Sequence, residues 1–350
     1  MIGIDLFSGA GGMSVGAQLA GITVLHAVEA DFYAAATYQQ NHSGVNMIQR
    51  DIRQVTGLAL PEVNEEIIVF GGPPCQGFST SNQKTRSVAN PDNWLFTEYL
   101  RIVREINPHW VVFENVKGIL ETDGGSFFDE ILQGLNSLGY TTSDFVLNAM
   151  DFGVPQNRSR LFVIGSREGV VVEAPIVQDA IVTVAQAIND LPVLENGANE
   201  DMKRYGRTAP SAYAQMLRGN LRSCSNHLVT RNAPQILERY SHIPQGGNWE
   251  NIPQALMQNY TNVNSCHTGI YRRLQADKPS VVIGNFRKNM LVHPWSDRGL
   301  SVREAARLQS FPDSFTFVGS IGFQQQQVGN AVPPLLAQAL FSQITEINAQ

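Results

Sequence analysis

The sequence has few cysteines and no long apolar run, and each shortage excludes a class of protein. The 350 residues include three cysteines, Cys75, Cys224 and Cys266, which are too few and too scattered for a disulfide framework. No apolar run approaches the roughly 18 residues that a membrane-spanning helix requires. The N-terminal segment MIGIDLF has no basic stretch before an apolar region, so it does not match a secretory signal. We therefore expect a cytoplasmic protein with at least one reactive thiol.

Length and composition indicate a globular protein with more than one lobe. Hydrophobic residues make up 43% of the chain and charged residues 16%, which is ordinary for a soluble protein. A chain of 350 residues is long for a single core, so we expect two lobes or one domain with a large insertion.

His227 and His267 lie close to cysteines in CSNH and CH, but without the spacing of a four-ligand zinc site. No metal site is therefore predicted.

Basic residues are concentrated in one part of the chain. The net charge is -6, yet residues 201–310 carry 15 Lys and Arg against 6 Asp and Glu, a balance of +9. The rest of the chain carries 10 against 25, a balance of -15. A basic segment on an acidic body is typical of a lobe that binds a polyanion such as nucleic acid. A randomly solvated surface is the alternative explanation.

Hydrophobic periodicity predicts an α/β fold. Up to about residue 165, short apolar runs alternate with amphipathic stretches, which indicates a parallel sheet covered by helices on both faces. After about residue 180 the chain becomes rich in Asn, Gly, Pro, Arg and Tyr, and regular periodicity returns from residue 301. The predicted strands are 2–7, 23–30, 66–72, 110–116 and 160–167. The predicted helices include 13–20, 32–42, 95–106, 127–139, 301–311 and 333–347.

A glycine-rich turn joins the first predicted strand to the first helix, in DLFSGAGGMSVGAQLA. Gly9, Gly11 and Gly12 allow the backbone to turn tightly and approach a ligand, and the helix N-terminus favours negative charge. Glu29 ends the second strand about twenty residues later, where its carboxylate can accept hydrogen bonds from ribose hydroxyls. Asp51 lies at a similar edge of the predicted sheet. The turn has no Lys, which excludes a P-loop, but dinucleotides and S-adenosylmethionine both remain open.

Reactive and charged side chains follow the apolar strands. GGPPCQGFST places Cys75 after a strand and two stiff prolines, where open α/β sheets bind ligands. WVVFENV brings Glu114 and Asn115 to the same predicted edge, and a carboxyl after an apolar run is costly unless it is satisfied or used. QNRSR places Arg158 and Arg160 two residues apart, so both are expected to face one side of a strand.

The order of these motifs resembles that of the cytosine-C5 DNA methyltransferases of bacterial restriction-modification systems. DLFSGAGG, VEAD, RDI, GGPPCQGFS, NWLFTEYLRIV, ENV, QNRSR, RLQSFPDSF and QVGNAVPP follow the family's order, over about residues 1–170 and 270–350. The resemblance implies a Rossmann-like, S-adenosylmethionine-dependent methyltransferase domain over 1–184 and 311–350, with a smaller irregular target-recognition domain over 185–310. It also implies a monomer that acts on double-stranded DNA, functionally paired with a cognate restriction endonuclease.

The resemblance further implies roles for individual residues. Cys75 would add to C6 of a flipped-out cytosine. Glu114, kept protonated or sharing a proton with N3, would offset the charge that builds up as the thiolate adds. Arg160, with Arg158, would hold O2 of the base, and Asn115 would fix the site from behind. The residues implied for the cofactor site are Phe7, Ser8, Gly9, Ala10, Gly11, Gly12, Glu29, Ala30, Asp51, Ile52, Pro73, Leu95, Asn330 and Ala331.

Contacts with DNA are predicted in two places. The polar loop 77–93 is expected to order as a lid over DNA, and a disordered connection is the alternative. The basic segment would hold the rest of the duplex through phosphate or guanine contacts. The residues predicted to bind DNA are Gln76, Ser79, Lys84, Arg86, Arg272 and Arg273, and a structural role is the alternative for Arg272 and Arg273. Further candidates in the basic segment are Arg204, Arg207, Arg218, Arg222 and Arg231.

Other functions share parts of the pattern and remain open. One branch of the family methylates tRNA and carries a Cys-Phe-Thr tripeptide, which this chain lacks. An inactive homologue that only holds DNA or cofactor would not need Cys75, Glu114, Asn115 and Arg160, and all four are present. A nicotinamide-dependent oxidoreductase would fit the glycine turn, but neither PPCQ nor ENV.

Overall fold

A computed structural model describes residues 1–60, 65–74, 94–260, 269–288 and 290–348. Contacts divide the chain into two compact units. The first unit comprises Met1–Phe152, Ser159–Val177 and Pro334–Gln350, and the second comprises Gly153–Arg158 and Gln178–Pro333. Residues 311–333 therefore group with the second unit, whereas the sequence-based boundary placed them in the catalytic domain. The assignment of one activity to each predicted domain stays a prediction.

Seven strands form the sheet of the first unit. They are β1 (Ile2–Leu6), β2 (Thr23–Glu29), β3 (Asn46–Gln49), β4 (Ile67–Gly71), β5 (Trp110–Val116), β6 (Thr141–Asn148) and β7 (Ser159–Ser166). Among the described residues their order is β3-β2-β1-β4-β5-β7-β6. β1 to β5 are joined in parallel pairs, whereas β7 is antiparallel to both β5 and β6. The carboxyl ends of β1, β2, β4 and β5 therefore share one edge of the sheet.

The predicted α/β class is confirmed, with one correction to the sheet. The strand predicted over 160–167 does not continue the parallel arrangement, so the sheet is mixed. The physical reason is the short link between β6 and β7, which lets the chain turn back without a crossover helix. β3 and β6 were not among the predicted strands, because NMIQ and TTSDFVLN carry many polar residues and lie at the two edges of the sheet.

Helices of the first unit cover this sheet. They are α1 (Gly12–Leu19), α2 (Phe32–Asn41), α3 (Leu95–Ile106), α4 (Ser126–Ser137) and, at the C-terminus, α10 (Pro334–Asn348). α10 packs against α1 at Gly16, where an added Cβ would lie 2.5 Å from the Cβ of Ala337. The absence of a side chain at Gly16 therefore lets the two ends of the chain pack together. No helix among the described residues is long and apolar enough to cross a membrane.

The second unit has short helices and buried ion pairs. Its helices are α5 (Val184–Ile188), α6 (Ala212–Arg218), α7 (Pro234–Ser241), α8 (Val302–Leu308) and α9 (Ile321–Asn330), and its two short strands are β8 (Lys203–Arg204) and β9 (Ser223–Cys224). The guanidinium of Arg307 contacts Asp190 at 2.8 Å and Asp313 at 2.6 Å, and all three side chains are fully buried. Removing one member would leave a buried charge without compensation. These pairs explain why the segment after α8 groups with the second unit.

Candidate active site

Glu114 and Arg160 form a buried ion pair in the first unit. In the β5–β7 register, Glu114 lies opposite Phe162 and Arg160 lies opposite Val116, so the two side chains are diagonal neighbours on one face. Nε of Arg160 is 3.0 Å from Oε1 of Glu114, and the two side chains are only 13% and 11% exposed. Burial lowers the pKa of the Arg160 guanidinium, and the Glu114 carboxylate opposes that shift. The site thus holds a guanidinium and a carboxyl group within hydrogen-bond distance of each other.

The backbone that leads to Cys75 passes directly beside this pair. Gly72 lies so close to the Glu114 carboxyl that an added Cβ would be 2.4 Å from Oε2. Asn115 is 3% exposed, and its Nδ2 donates to the carbonyl oxygen of Pro73 at 3.2 Å. The two residues that end β5 therefore hold the two positions before the second proline of the PPCQ motif.

Arg158 has different surroundings from Arg160. It belongs to the second unit, is 1% exposed, and donates to the carbonyl oxygens of Ile283, Gly329 and Ala331 at 3.0 to 3.1 Å. β7 begins after Arg158, so the alternation that would place both arginines on one face does not extend to it. These contacts favour a structural role, and the predicted contact of Arg158 with a base stays a prediction.

The glycine turn contains left-handed backbone at several positions. Phe7, Gly9 and Gly11 have φ angles of 58°, 54° and 98°, which glycine adopts freely and which cost a residue such as Phe roughly 1–2 kcal/mol. The backbone N–H of Gly9 donates to Oε2 of Glu29 at 2.8 Å, and that of Gly11 donates to the carbonyl of Ser8 at 2.9 Å. The turn is therefore tied directly to the acidic residue at the end of β2.

The two acidic residues predicted near the cofactor are held differently. Oε1 of Glu29 accepts from the backbone N–H of Asp31 at 2.8 Å, and burial raises the pKa of Glu29. Asp51 follows β3 and forms an exposed ion pair with Arg53 at 2.7 Å. Hydrogen bonds from Arg53 lower the pKa of Asp51. Glu29 is thus a half-buried acceptor fixed by backbone groups, and Asp51 is a solvent-facing carboxylate.

Apolar residues predicted near the cofactor share one cluster in the first unit. Ile52 and Leu95 are 4% and 8% exposed, and the partly buried Phe7 packs against the same cluster. Leu95 is the first residue of α3, and Ile52 begins the 3₁₀ turn after β3. Three separate segments that the sequence predicted for one site therefore meet in a common apolar region.

A comparison with known protein families distinguishes the ligands that the glycine turn left open. The family model for C-5 cytosine-specific DNA methylase matches residues 1–346. The chain belongs to the C-5 cytosine-specific DNA methylases. This methylase is therefore an enzyme that methylates C5 of cytosine in DNA, and its family uses S-adenosylmethionine as the methyl donor.

Curated relatives and solved structures match the methylase over nearly its full length. It is 38% identical to the type II methyltransferase M1.HphI of Haemophilus parahaemolyticus, over 99% of this chain and 87% of that protein. It is 32% identical to the type II methyltransferase M.DdeI of Desulfomicrobium norvegicum, over 98% of this chain and 88% of that protein. A DNA modification methyltransferase encoded within an Escherichia coli prophage superposes with a TM-score of 0.80, 25% identity and full coverage of both chains.

The glycine turn of the methylase fits S-adenosylmethionine. Oγ of Ser8 is buried and has no hydrogen-bond partner among the described residues, so a polar group of a ligand can satisfy it. Each carboxylate oxygen of Glu29 accepts one backbone N–H and has a further lone pair for a ribose hydroxyl. Ser8 and Glu29 therefore offer the polar contacts that the amino-acid and ribose parts of the cofactor need. Ala10 and Gly12 lie in the same turn, and Ala30 follows β2.

Asn330 and Ala331 lie in the second unit, at the end of α9. Ala331 is the C-terminal cap of that helix, and its carbonyl is one of the acceptors of Arg158. The adjoining Gly329 approaches Gly284 so closely that an added Cβ would lie 2.1 Å from the Gly284 carbonyl oxygen. The GNAVPP turn is thus rigidly held, while the predicted contacts of Asn330 and Ala331 with the cofactor stay predictions.

Arg272 and Arg273, both predicted to contact DNA, differ in exposure. Arg273 is 6% exposed and donates to the carbonyls of Tyr240 and Ile243 at 2.7 and 2.6 Å, and it also pairs with Asp297. These contacts occupy its guanidinium inside the second unit and favour a structural role. Arg272 is half-buried, and its predicted contact with DNA stays a prediction.

Most of the other basic candidates lie at the surface of the second unit. Arg218 is half-buried, with its guanidinium 3.8 Å from the ring centroid of Tyr205 and its NH1 bonded to the carbonyl of Arg207 at 2.7 Å. The side chain of Arg218 is therefore held in place by its neighbours. The exposed candidates are Arg204, Arg207, Arg222 and Arg231.

Several predicted site residues lie outside the described part of the chain. The predicted nucleophile Cys75 and the proposed lid over 77–93 are among them. The predicted DNA contacts that also lie outside the described part of the chain are Gln76, Ser79, Lys84 and Arg86.

The sequence-based prediction overlooked two residues that support the quoted motifs, Gly72 in the first unit and Gln156 in the second. Because Gly72 has no side chain, the Glu114 carboxyl can lie close to its backbone. The second glycine of GGPPC was the sequence feature that could have identified this contact. Gln156 donates to Gln309 at 2.9 Å and to the carbonyl of Leu308 at 3.1 Å, so it links the QNRSR and RLQSF motifs inside the second unit. Its fixed place two residues before Arg158 in QNRSR could have identified it.

Proposed function

We propose that this methylase adds a methyl group to C5 of a flipped-out cytosine in a specific double-stranded DNA sequence, through a covalent bond between Cys75 and C6. The observation that carries the proposal is the Glu114–Arg160 pair, which lies beside the backbone leading to Cys75. C6 of cytosine is hidden in a stacked duplex, so the target base must leave the helix.

The ion pair matches one edge of the cytosine ring. N3 and O2 are neighbouring acceptors on one edge of the base, both bonded to C2, and the Glu114 carboxyl and the Arg160 guanidinium are neighbouring groups 3.0 Å apart. Glu114 can share a proton with N3, and Arg160 can donate to O2. Both contacts offset the negative charge that builds up on the ring as a thiolate adds to C6. The pair therefore supports activation of the base rather than simple binding.

The nucleophile is aligned through the backbone before it. The hydrogen bond from Asn115 to the Pro73 carbonyl fixes the chain two residues ahead of Cys75. The prolines restrict the remaining backbone freedom. Attack by the Cys75 thiolate on C6 forms a carbon–sulfur bond and makes C5 nucleophilic. S-adenosylmethionine, when bound, would supply the methyl group to C5 and would leave as S-adenosylhomocysteine. Loss of the C5 proton and release of Cys75 then restore the aromatic ring.

The relatives suggest the biological setting. The proteins M1.HphI and M.DdeI are type II methyltransferases that match this chain over nearly its whole length. We infer that this methylase likewise protects DNA from a restriction endonuclease that recognises the same sequence, and that it acts as a monomer. The excess of basic residues in 201–310 supports a DNA-holding role for that segment.

Tritiated S-adenosylmethionine tests the proposed substrate. The protein is incubated with unmethylated genomic DNA or with total RNA, and the labelled base is identified after hydrolysis. Label recovered as 5-methylcytosine from DNA is the expected result, and sequencing of the product then gives the target site. Label found only in RNA would contradict the proposal and would indicate the tRNA-directed branch of the family. Bound cofactor without transfer would indicate an inactive homologue.

A further inference from the structure

A buried chain of polar side chains lies in the first unit beside the glycine turn. Oγ of Ser14 donates to Oδ2 of Asp5 at 2.6 Å, and the Tyr38 hydroxyl is 2.6 Å from the same Oγ. Asp5 is 1% exposed, and Ser14 and Tyr38 are completely buried. None of these residues reaches the Glu114–Arg160 pair in any contact described above. Buried polar groups are costly, so a connected set of them calls for an explanation.

The Ser14–Asp5 hydrogen bond closes the base of the turn. Asp5 is near the end of β1, and Ser14 lies in the first turn of α1, nine residues later. The glycine turn, with left-handed backbone at Phe7, Gly9 and Gly11, lies between them. Because such backbone persists only when its surroundings fix it, a direct bond between the two ends restricts the conformations of the whole turn.

Two aromatic rings at the C-terminal end of α2 support the same turn. The Tyr38 and His42 rings stack with centroids 4.2 Å apart. His42 is 3% exposed and lies against Gly11, where an added Cβ would be 2.3 Å from Nε2. Nδ1 of His42 is also 3.2 Å from Oε1 of Gln18 on α1. The two stacked rings therefore pack directly against Gly11.

We propose that Asp5, Ser14, Tyr38 and His42 are positioning residues that hold the glycine turn in its cofactor-binding shape. Asp5 and Ser14 close the base of the turn, and Tyr38 and His42 support it from α2. Asp31 is the N-terminal cap of α2, and its backbone N–H donates to Glu29, so residues at the two ends of this helix contact both the turn and the acidic residue beside it. This inference rests on the proposed use of S-adenosylmethionine.

Removing one hydroxyl from the chain tests the proposal. Tyr38→Phe and Ser14→Ala each delete one side of the 2.6 Å contact while leaving the apolar packing nearly unchanged. We expect the Kd for S-adenosylmethionine to rise by about 3- to 10-fold, as expected from the loss of one buried hydrogen bond. The kcat at saturating cofactor should stay within about twofold of wild type, because neither residue contacts the Glu114–Arg160 pair.

Tyr140→Phe is the matched control. Its hydroxyl donates to the Pro108 carbonyl at 2.7 Å and is buried in the same unit, and this hydrogen bond does not involve Asp5, Ser14, Tyr38 or His42. Isothermal titration with S-adenosylmethionine and thermal melting without it are measured for wild type, Tyr38→Phe, Ser14→Ala and Tyr140→Phe. Similar losses in Tm, with a raised Kd in the Tyr38 and Ser14 variants alone, are the expected result.

Two other outcomes would overturn the inference. An unchanged Kd in Tyr38→Phe and Ser14→Ala, or a Kd that rises equally in Tyr140→Phe, would show that the chain contributes only general stability. Wild-type protein that does not bind S-adenosylmethionine would instead contradict the proposed function on which the inference rests. The wild-type titration therefore separates the two failures.

Discussion

Nε of Arg160 lies 3.0 Å from Oε1 of Glu114, across the only antiparallel pairing that β5 makes among the described strands. The diagonal register brings a cation from β7 to a carboxyl that ends β5. Since both groups are largely buried, removing either one would leave the other without this ion-pair partner. The reversal of β7 thus supplies the arginine that a wholly parallel sheet would have placed elsewhere.

Arg160→Lys tests the geometry of this pair. The variant keeps the positive charge but loses the planar guanidinium that can contact a carboxyl and a base oxygen together. We expect kcat to fall by on the order of 100-fold, with the Kd for S-adenosylmethionine unchanged. Arg167→Lys is the control, because Arg167 lies in the same unit and donates to the carbonyl oxygen of Asn107, outside the predicted base and cofactor contacts. Wild-type kcat in Arg160→Lys would refute the proposed contact.

Asn115→Ala tests the alignment of the nucleophile. The variant loses the 3.2 Å hydrogen bond to the Pro73 carbonyl, so the backbone before Cys75 gains freedom. A loss of about 10-fold in kcat is expected, since small displacements of a reacting group reduce the rate strongly. Single-turnover methylation measures the effect. Thr122→Val removes a comparable side-chain bond to the Gly118 carbonyl and should leave kcat near wild type. Equal losses in both variants would argue against a specific role for Asn115.

Arg158→Lys separates a structural role from a catalytic one. Three carbonyls of the second unit accept hydrogen bonds from this guanidinium, and a lysine cannot replace them all. We expect the free energy of unfolding to fall by about 2–3 kcal/mol, as measured by urea denaturation. The exposed Arg231→Lys should change it by less than about 0.5 kcal/mol. Full stability combined with loss of methyl transfer in Arg158→Lys would instead support the predicted contact with the base.

Asp5 makes stability depend on pH. Burial raises the pKa of Asp5 from 3.8 to about 8, and Glu29 adds to the shift while the Ser14 hydrogen bond opposes it. The nearby Tyr38 and His42 are uncharged at neutral pH, because burial raises the pKa of Tyr38 and lowers that of His42 to about 4. The folded protein therefore keeps a proton on Asp5 that the unfolded chain releases near pH 4.

This difference predicts that stability falls as pH rises. Between about pH 4 and 8 the unfolded state binds fewer protons at Asp5 than the folded state, so ΔG of unfolding decreases by up to about 1.4 kcal/mol per pH unit. Asp5→Asn stays uncharged and lacks this contribution. Urea denaturation of both proteins from pH 5 to pH 8 should show wild type losing stability relative to the variant. A difference that does not change with pH would contradict a protonated Asp5.

The sequence predicted most of the core of the first unit. The five predicted strands and the six predicted helices all appear, and all but α8 lie in the first unit, because strongly periodic apolar segments are buried when the chain folds. β3 and β6 were missed because edge strands need fewer apolar residues. The helix α9 was missed because QQQQVGN has little apolar periodicity, and its buried glutamines are instead satisfied by hydrogen bonds such as that from Gln324 to Gly319.

The site was less predictable than the fold. Motif order indicated that Glu114 and Arg160 act together, but only the register of β5 and β7 shows that they pair. The spacing of Arg158 and Arg160 suggested a shared face, which fails because the strand begins between them. The supporting residues Ser14, Tyr38 and His42 have no motif of their own, since a buried hydrogen-bond chain depends on packing that sequence spacing does not specify.

The central claim is that Cys75 carries out the chemistry in a site that Glu114, Asn115 and Arg160 assemble. The most direct measurement compares wild type with Cys75→Ser, using tritiated S-adenosylmethionine and unmethylated DNA, with cofactor Kd measured on the same samples. Wild type should place label in 5-methylcytosine, and Cys75→Ser should transfer none while binding the cofactor with unchanged Kd. Transfer by Cys75→Ser at a rate close to wild type would contradict the account.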